Sequence, residues 1–255
     1  MAQYTQRPMR FPENIFQSIC EPLLPTACIA CQGFQKSSLC DRCLTQLRDD
    51  GLLNYLCCYQ CGIALQVSEI AQQRCMQCQT LRPYFDETYC LDRYDGLLQT
   101  PLHELKYQKR ITFANALGRI WNLLLSKELE DISADYLLPV PLSIEKLAQR
   151  GFNQSWEIAK QIRCGRHIQK SPYMLQRHHY AKHQAGSTLS NRHLAIQRMF
   201  YVEERYIQQL ANKTVIVFDD VMTSGATLNE IARVLKDNGV SRVINWVVLR
   251  AARPI

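Results

Sequence analysis

The clearest hydrophobic pattern lies near the C-terminus. Val215, Ile216, Val217 and Phe218 form an unbroken apolar run that ends on two adjacent carboxylates, Asp219 and Asp220. A continuous run, rather than an alternating one, marks a strand buried on both faces of a parallel sheet. A short hydroxyl-rich loop follows. Leu228, Ile231, Ala232 and Leu235 then recur at i, i+3, i+4 and i+7, the apolar face of an α-helix. Asn238-Gly239 closes that helix with residues that tolerate the left-handed conformation. Residues 243–249 form a second apolar strand, which completes a βαβ unit with a right-handed crossover. Upstream, residues 135–141 read as a short apolar strand ended by prolines. Residues 111–129 read as a helix carried by Phe113, Leu117, Ile120, Trp121 and Leu124, and residues 85–94 as an extended segment. Asn153 to Cys164 reads as a further helix, capped by Asn153 and closed by Gly165.

This pattern predicts where chemistry sits. Ligands of open α/β sheets bind beyond the carboxyl ends of the strands. Asp219 and Asp220 stand there, and residues Val221, Met222, Thr223, Ser224, Gly225, Ala226 and Thr227 follow. Backbone N–H groups at a helix N-terminus form an anion site, helped by the helix dipole. Thr223, Ser224 and Thr227 add hydroxyl donors, and Gly225 lets the backbone approach a ligand closely. Carboxylates accept from sugar hydroxyls, so the segment suits a ribose 5-phosphate held at both ends. A Walker-type nucleotide site would need a G-x-x-x-x-G-K-[ST] loop upstream, and none is present. A D-x-D nucleophile fails because Met222 stands two after Asp220. A helix cap flanked by surface acids is the bland alternative.

The 255 residues are 47% apolar, enough for one large domain or two modest ones. The net charge of +7 is uneven. Residues 1–90 carry seven basic and eight acidic side chains, whereas residues 150–198 carry nine basic and one acidic, with five of the six histidines. That basic stretch is either a solvated face or a footprint for phosphate-rich ligands. Residues 1–25 contain no continuous apolar segment of the secretory kind, and no run reaches the ~18 apolar residues of a membrane span. A cytoplasmic protein with reduced thiols is expected.

Eight of the twelve cysteines form four C-x-x-C pairs before residue 80. Each pair sets two thiolates on one side of a tight turn, and two turns can enclose a tetrahedral Zn²⁺. The candidate ligands are Cys28, Cys31, Cys40, Cys43, Cys58, Cys61, Cys75 and Cys78, holding about two structural zinc ions. Spacing leaves the pairing open. Consecutive pairs can share a metal, or the first and third pairs can interleave, and Cys57 can replace Cys58. Thioredoxin-like redox chemistry would need one such motif in a βαβ context. Cys20, Cys90 and Cys164 read as small buried residues. The knuckles stop near Arg82-Pro83, which predicts a module over residues 1–84 and a second domain over residues 85–255.

The segment Thr214–Thr227 resembles the ribose-phosphate signature of type I phosphoribosyltransferases. Tyr94-Asp-Gly, Leu105-Lys-Tyr107, Pro139-Val-Pro141, Arg150-Gly-Phe-Asn-Gln154, and Gln184 ahead of Leu189-Ser-Asn-Arg192, narrow the resemblance to the ComF (GntX-like) competence family. The resemblance implies an α/β fold: a type I phosphoribosyltransferase-like parallel sheet flanked by helices, plus a small N-terminal zinc-ribbon module. It implies phosphoribosyl pyrophosphate with Mg²⁺, or a nucleotide, as ligand. Asp219 and Asp220 would serve as the catalytic acids on the ribose, and Lys146 and Arg150 would lie in a pyrophosphate loop. Gln184 and Arg192 would belong to a flap, although Ala195 stands where the family has Asn. It further implies a role in natural transformation, handling single-stranded DNA beside a helicase or membrane channel protein, at the inner membrane through such partners. Lys106, Tyr107, Arg150, Phe152, Arg177 and Lys182 are the expected nucleic-acid contacts. An active phosphoribosyltransferase of nucleotide salvage, with an unknown acceptor, is the alternative.

Overall fold

The computed structural model describes residues 26–125, 132–165, 167–178 and 199–251. Cys20, and the flap and nucleic-acid candidates Lys182, Gln184 and Arg192, lie outside the described residues.

A five-stranded parallel sheet forms the centre of the described residues, in the order β3-β9-β8-β4-β5. Its strands are β3 (Glu87–Arg93), β4 (Tyr136–Pro139), β5 (Gln169–Lys170), β8 (Thr214–Met222) and β9 (Arg242–Arg250). The apolar runs at residues 215–218 and 243–249 fall on two of the three inner strands, β8 and β9. Their side chains alternate between faces. Ile216, Phe218, Ile244 and Trp246 enter one core; Val215, Val217, Val243 and Val247 enter the other.

The first core is covered by α3 (Gln99–Tyr107), α4 (Thr112–Leu124) and α6 (Gln154–Ala159). Trp121 of α4 sits edge-on to Phe218 with ring centroids 5.5 Å apart, and 5.8 Å from Trp246. The second core is covered by α8 (Ala226–Asp237), through Leu228, Ile231, Ala232 and Leu235, the face read from the periodicity.

The cysteine pairs straddle the sheet. A short hairpin, β1 (Thr26–Ala27) with β2 (Phe34–Gln35), leads into α1 (Asp41–Asp49); Cys28, Cys43 and Leu47 join the first core. Cys58, Cys61, Cys75 and Cys78, the last on α2 (Met76–Thr80), join the second. The second knuckle is bonded to β3 directly: Thr88 N–H donates to the Tyr59 carbonyl at 2.9 Å and Thr88 Oγ1 to that of Gln60 at 2.6 Å.

Three expectations are corrected. The strand does not stop before the acids; β8 runs to Met222 because β9 continues to pair with it, Asp219 opposite Val247 and Met222 opposite Arg250. The helix capped by Asn153 ends at Ala159, not Cys164. Beyond it the chain makes tight turns, and the Lys170 ammonium donates to the carbonyls of Lys160 and Ile162 in place of a further helical turn. Most of the stretch from Pro139 to Arg150 is not a loop but α5 (Ile144–Arg150), capped by Ser143. Between α6 and β8 lie an antiparallel pair, β6 (Leu175–Arg177) and β7 (Phe200–Val202), and a short α7 (Ile207–Leu210), none read from the sequence.

Gly62 tests how closely the second knuckle is seated. It has φ of 69°, and a Cβ there would lie 2.5 Å from Cys90 Sγ and 3.2 Å from Thr88 Cγ2. Gly62→Ala combines left-handed strain with a clash against β3 and should destabilise the protein by about 2–3 kcal/mol. A urea unfolding midpoint equal to that of the unsubstituted protein would contradict the close seating.

Candidate functional site

The site forms where β4 stops and β8 continues. β4 pairs with β8 only as far as Pro139 opposite Phe218, with a last bond from Val140 N–H to the Phe218 carbonyl at 2.9 Å. Past that point one edge of β8 is open, and Asp219 and Asp220 occupy it. Asp220 N–H turns to Asp219 Oδ1 at 2.9 Å instead of to a strand. Asn153 braces the gap, donating from Nδ2 to the Val140 carbonyl at 2.9 Å while its Oδ1 caps α6.

Both acids are buried, Asp219 at 8% exposure and Asp220 at 5%. Ser155 of α6 donates to Asp219 Oδ1 at 3.4 Å. Lys106 of α3 forms an ion pair with Asp220 Oδ2 at 2.5 Å, without hydrogen-bond alignment. Burial pushes the Asp219 carboxyl well above the usual carboxylate range. The adjacent Asp220 adds to the shift, and the Asp220 N–H and Lys106 oppose it. Asp219 therefore holds its negative charge reluctantly, and that charge gains from any cation or donor that enters.

The following loop is short. Thr223 and Ser224 are exposed, and Gly225 adopts φ of 81° directly ahead of α8. A Cβ on Gly225 would meet Met222 Cε at 2.6 Å, so the turn needs glycine. Glycine brings no capping side chain, and the first-turn amides of an α-helix have no intrahelical acceptors. Ala226 N–H reaches Ser224 Oγ at 3.4 Å. Strand-end acids and a helix N-terminus are thus brought together as the sequence predicts.

The other candidates divide. Lys106, expected on nucleic acid, is instead the partner of Asp220. Tyr107 is 63% exposed, with the Arg150 guanidinium 5.8 Å from its ring centre. Arg150 also donates to Gln154 Oε1. Lys146 is exposed on α5, a helix with no buried residue. Phe152 is half-buried and packs against the first core. Arg177 lies on β6, 5.7 Å from the Phe200 ring centre, and burial lowers its pKa. Ser155 and Arg250 were not read from the sequence. A hydroxyl after the Arg150–Gln154 motif was the available signal for the first; nothing marked the second.

A cleft of about 190 Å³ is lined by Lys106, the partner of Asp220, with Tyr94, His103, Tyr107 and Leu249, among others. The cysteines resolve the open pairing as consecutive. Cys28, Cys31, Cys40 and Cys43 form one group and Cys58, Cys61, Cys75 and Cys78 another, with the sulfurs of each group within 4.8 Å of one another. Either group could hold a metal ion. In the second group, hydrogen bonds from Cys61 and Cys78 lower the Cys58 pKa, and hydrogen bonds with Cys58 and Cys61 raise that of Cys78. Cys57 belongs to neither; its thiol points to the carbonyls of Leu52 and Tyr55. Cys90 is buried, but Cys164 is only half-buried.

Residues 166–254 match the phosphoribosyl transferase domain family. The chain is 26% identical over 230 residues to Competence protein F of Haemophilus influenzae, covering 88% of this chain and 96% of that one. It is 27% identical over 215 residues to DNA utilization protein YhgH of Escherichia coli K12, covering 83% and 90%. Among solved structures, a hypoxanthine phosphoribosyltransferase from Staphylococcus aureus matches 54% of this chain and 62% of that chain, at 13% identity and a TM-score of 0.31. Relatives of the competence kind aligned along most of its length, and a phosphoribosyl transferase domain match toward its C-terminus, make this chain similar to ComF-like proteins.

Proposed function

We propose that the protein is a DNA-uptake factor of natural transformation that handles incoming single-stranded DNA and binds phosphoribosyl pyrophosphate or a nucleotide at the end of β8. One observation carries the pocket: two buried acids at the open edge of a parallel strand, one neutralised by Lys106, directly ahead of a glycine-started helix. The ribose hydroxyls donate to Asp219 and Asp220, the 5-phosphate takes the amides and hydroxyls of Thr223–Thr227, and Lys146 and Arg150 face the pyrophosphate. Mg²⁺ bound with that ligand would offset charge on the phosphates and the acid pair. On this reading residues 1–84 are the zinc module and residues 85–255 the ligand-binding domain. Turnover with a nitrogenous acceptor is the second reading, favoured by the phosphoribosyl transferase match; pyrophosphate release on adding candidate bases tests it.

The names of the relatives, Competence protein F and DNA utilization protein, support the DNA role. Among the described residues no helix is long and apolar enough to cross a membrane, so a place at the inner membrane rests on partners such as a channel or helicase.

Zinc suits both cysteine groups. A Zn–S bond of ~2.3 Å sets tetrahedral sulfurs about 3.8 Å apart. Cys31 and Cys40 stand at 3.8 Å and Cys61 and Cys75 at 3.6 Å.

Asp219→Asn separates binding from folding. A folded-state carboxyl pKa raised above its unfolded value contributes stability that is present at low pH and lost as pH rises through it. Removing that charge should raise the Tm at neutral pH. The same substitution removes an acceptor, so affinity for phosphoribosyl pyrophosphate should fall about ten- to hundredfold, as for a hydrogen bond to a charged group. In the unsubstituted protein, affinity should rise with pH through the Asp219 ionisation. Calorimetric titration showing unchanged affinity in the variant would refute the pocket.

Elemental analysis should find about two zinc ions per chain, and chelation should unfold the knuckles; a folded, zinc-free preparation would remove the zinc assignment. Affinity for single-stranded DNA should fall steeply with salt, because phosphate contacts release counterions. A flat salt profile would argue against a phosphate-tracking surface.

A further inference from the structure

Arg250 ends β9 and is only 5% exposed. Its guanidinium is held entirely by main-chain carbonyls. Nε donates to Cys61 at 2.8 Å; Nη1 donates to Met222 at 3.1 Å, Thr223 at 2.5 Å and Ala251 at 2.8 Å. Cys61 belongs to the second cysteine group, while Met222 and Thr223 are the residues that carry β8 into the loop. One rigid planar group therefore spans the metal knuckle and the entrance of the loop. The far side of the loop is tied to the same part of the chain. Asn229 Oδ1, in the first turn of α8, accepts from Tyr84 N–H at 2.7 Å, and Gln60 Nε2, between the second-group cysteines, donates to the Phe85 carbonyl at 3.2 Å. The Phe85 ring lies 4.0 Å from where a Gly225 Cβ would be.

We infer that Arg250 is a positioning residue that couples the second cysteine group to the phosphate-binding loop, so that metal held by Cys58, Cys61, Cys75 and Cys78 sets the loop's affinity for phosphate ligands. Metal fixes the C-x-x-C turn, and with it the Cys61 carbonyl. That carbonyl orients the guanidinium, whose other donors fix the carbonyls of Met222 and Thr223. A loop whose amides are already aligned loses less conformational freedom when an anion binds. Thermodynamic linkage makes the effect reciprocal: a ligand in the loop must perturb the metal site. The inference rests on the ligand reading given above for Thr223–Thr227.

Cobalt-substituted full-length protein provides the test, with ribose 5-phosphate as the probe. Saturating ribose 5-phosphate should shift the cobalt–thiolate absorption of the unsubstituted protein. Arg250→Lys keeps the charge but cannot reach both sides of the bridge with a planar fork. It should retain about two cobalt ions per chain, bind the probe about tenfold more weakly, and show no ligand-induced shift, a spectroscopic readout that a purely structural role would not move. Asn229→Ala supplies a second variant should Arg250→Lys fail to fold: metal content unchanged, affinity lowered, shift diminished. If the unsubstituted protein binds ribose 5-phosphate but its cobalt spectrum stays unmoved, or if both variants bind as tightly as it does, the coupling is refuted while the pocket stands. If the unsubstituted protein does not bind the probe at all, the pocket falls first and the coupling with it.

Discussion

Everything near the acid pair depends on the unequal lengths of the strands beside β8. β9 pairs with β8 to Met222, whereas β4 stops opposite Phe218. The difference keeps the backbone of the acid pair rigid on one side and open on the other. Longer pairing with β4 would close that edge, and an earlier end to β9 would leave the acids on a mobile loop. Pro141 and the Ser143 cap, which starts α5, turn the chain away after β4 and so preserve the opening.

Two adjacent carboxylates in that position are unfavourable for folding. Burial and mutual repulsion both raise the Asp219 pKa, and Lys106 offsets only part of the charge. A fold selected for stability alone would place apolar side chains there, as it does at Val217 and Phe218 just upstream. The strain is tolerable because the large shared cores on both faces of the sheet stabilise the strand that carries it. On the proposed reading, incoming hydroxyls or a cation would relieve the same repulsion, and part of the binding free energy would be built into the site.

What could be read from the sequence follows the range of the interactions. β8, α8 and β9 were legible because apolar runs and helical periodicity are local, and Asn153 was legible as a cap for the same reason. The end of β8 was not: aspartate is a poor strand former, and only the partner strand shows that the ladder continues through Asp219 and Asp220. α6 was drawn too long because Ile158 and Ile162 keep helical spacing, while the distant Lys170 takes the carbonyls that another turn would have used. Lys106 was expected on nucleic acid, and nothing in the sequence marked Arg250. Their partners lie far away in the chain, and no spacing rule connects them.

The cysteine knuckles extend this argument. A segment of this size buries too little apolar surface to be stable unaided, and metal ligation is one remedy. Here the segment also shares the sheet's cores, one cysteine group on each face, which explains why consecutive pairs meet and interleaved ones do not. An interleaved site would have to join ligands separated by the sheet itself. A segment seated this way is part of the scaffold of the acid pair: the second knuckle bonds to β3 through Thr88 and to β9 through Arg250. Both strands stand on the side of β8 away from the open edge, where support stiffens the acid pair and leaves that edge clear.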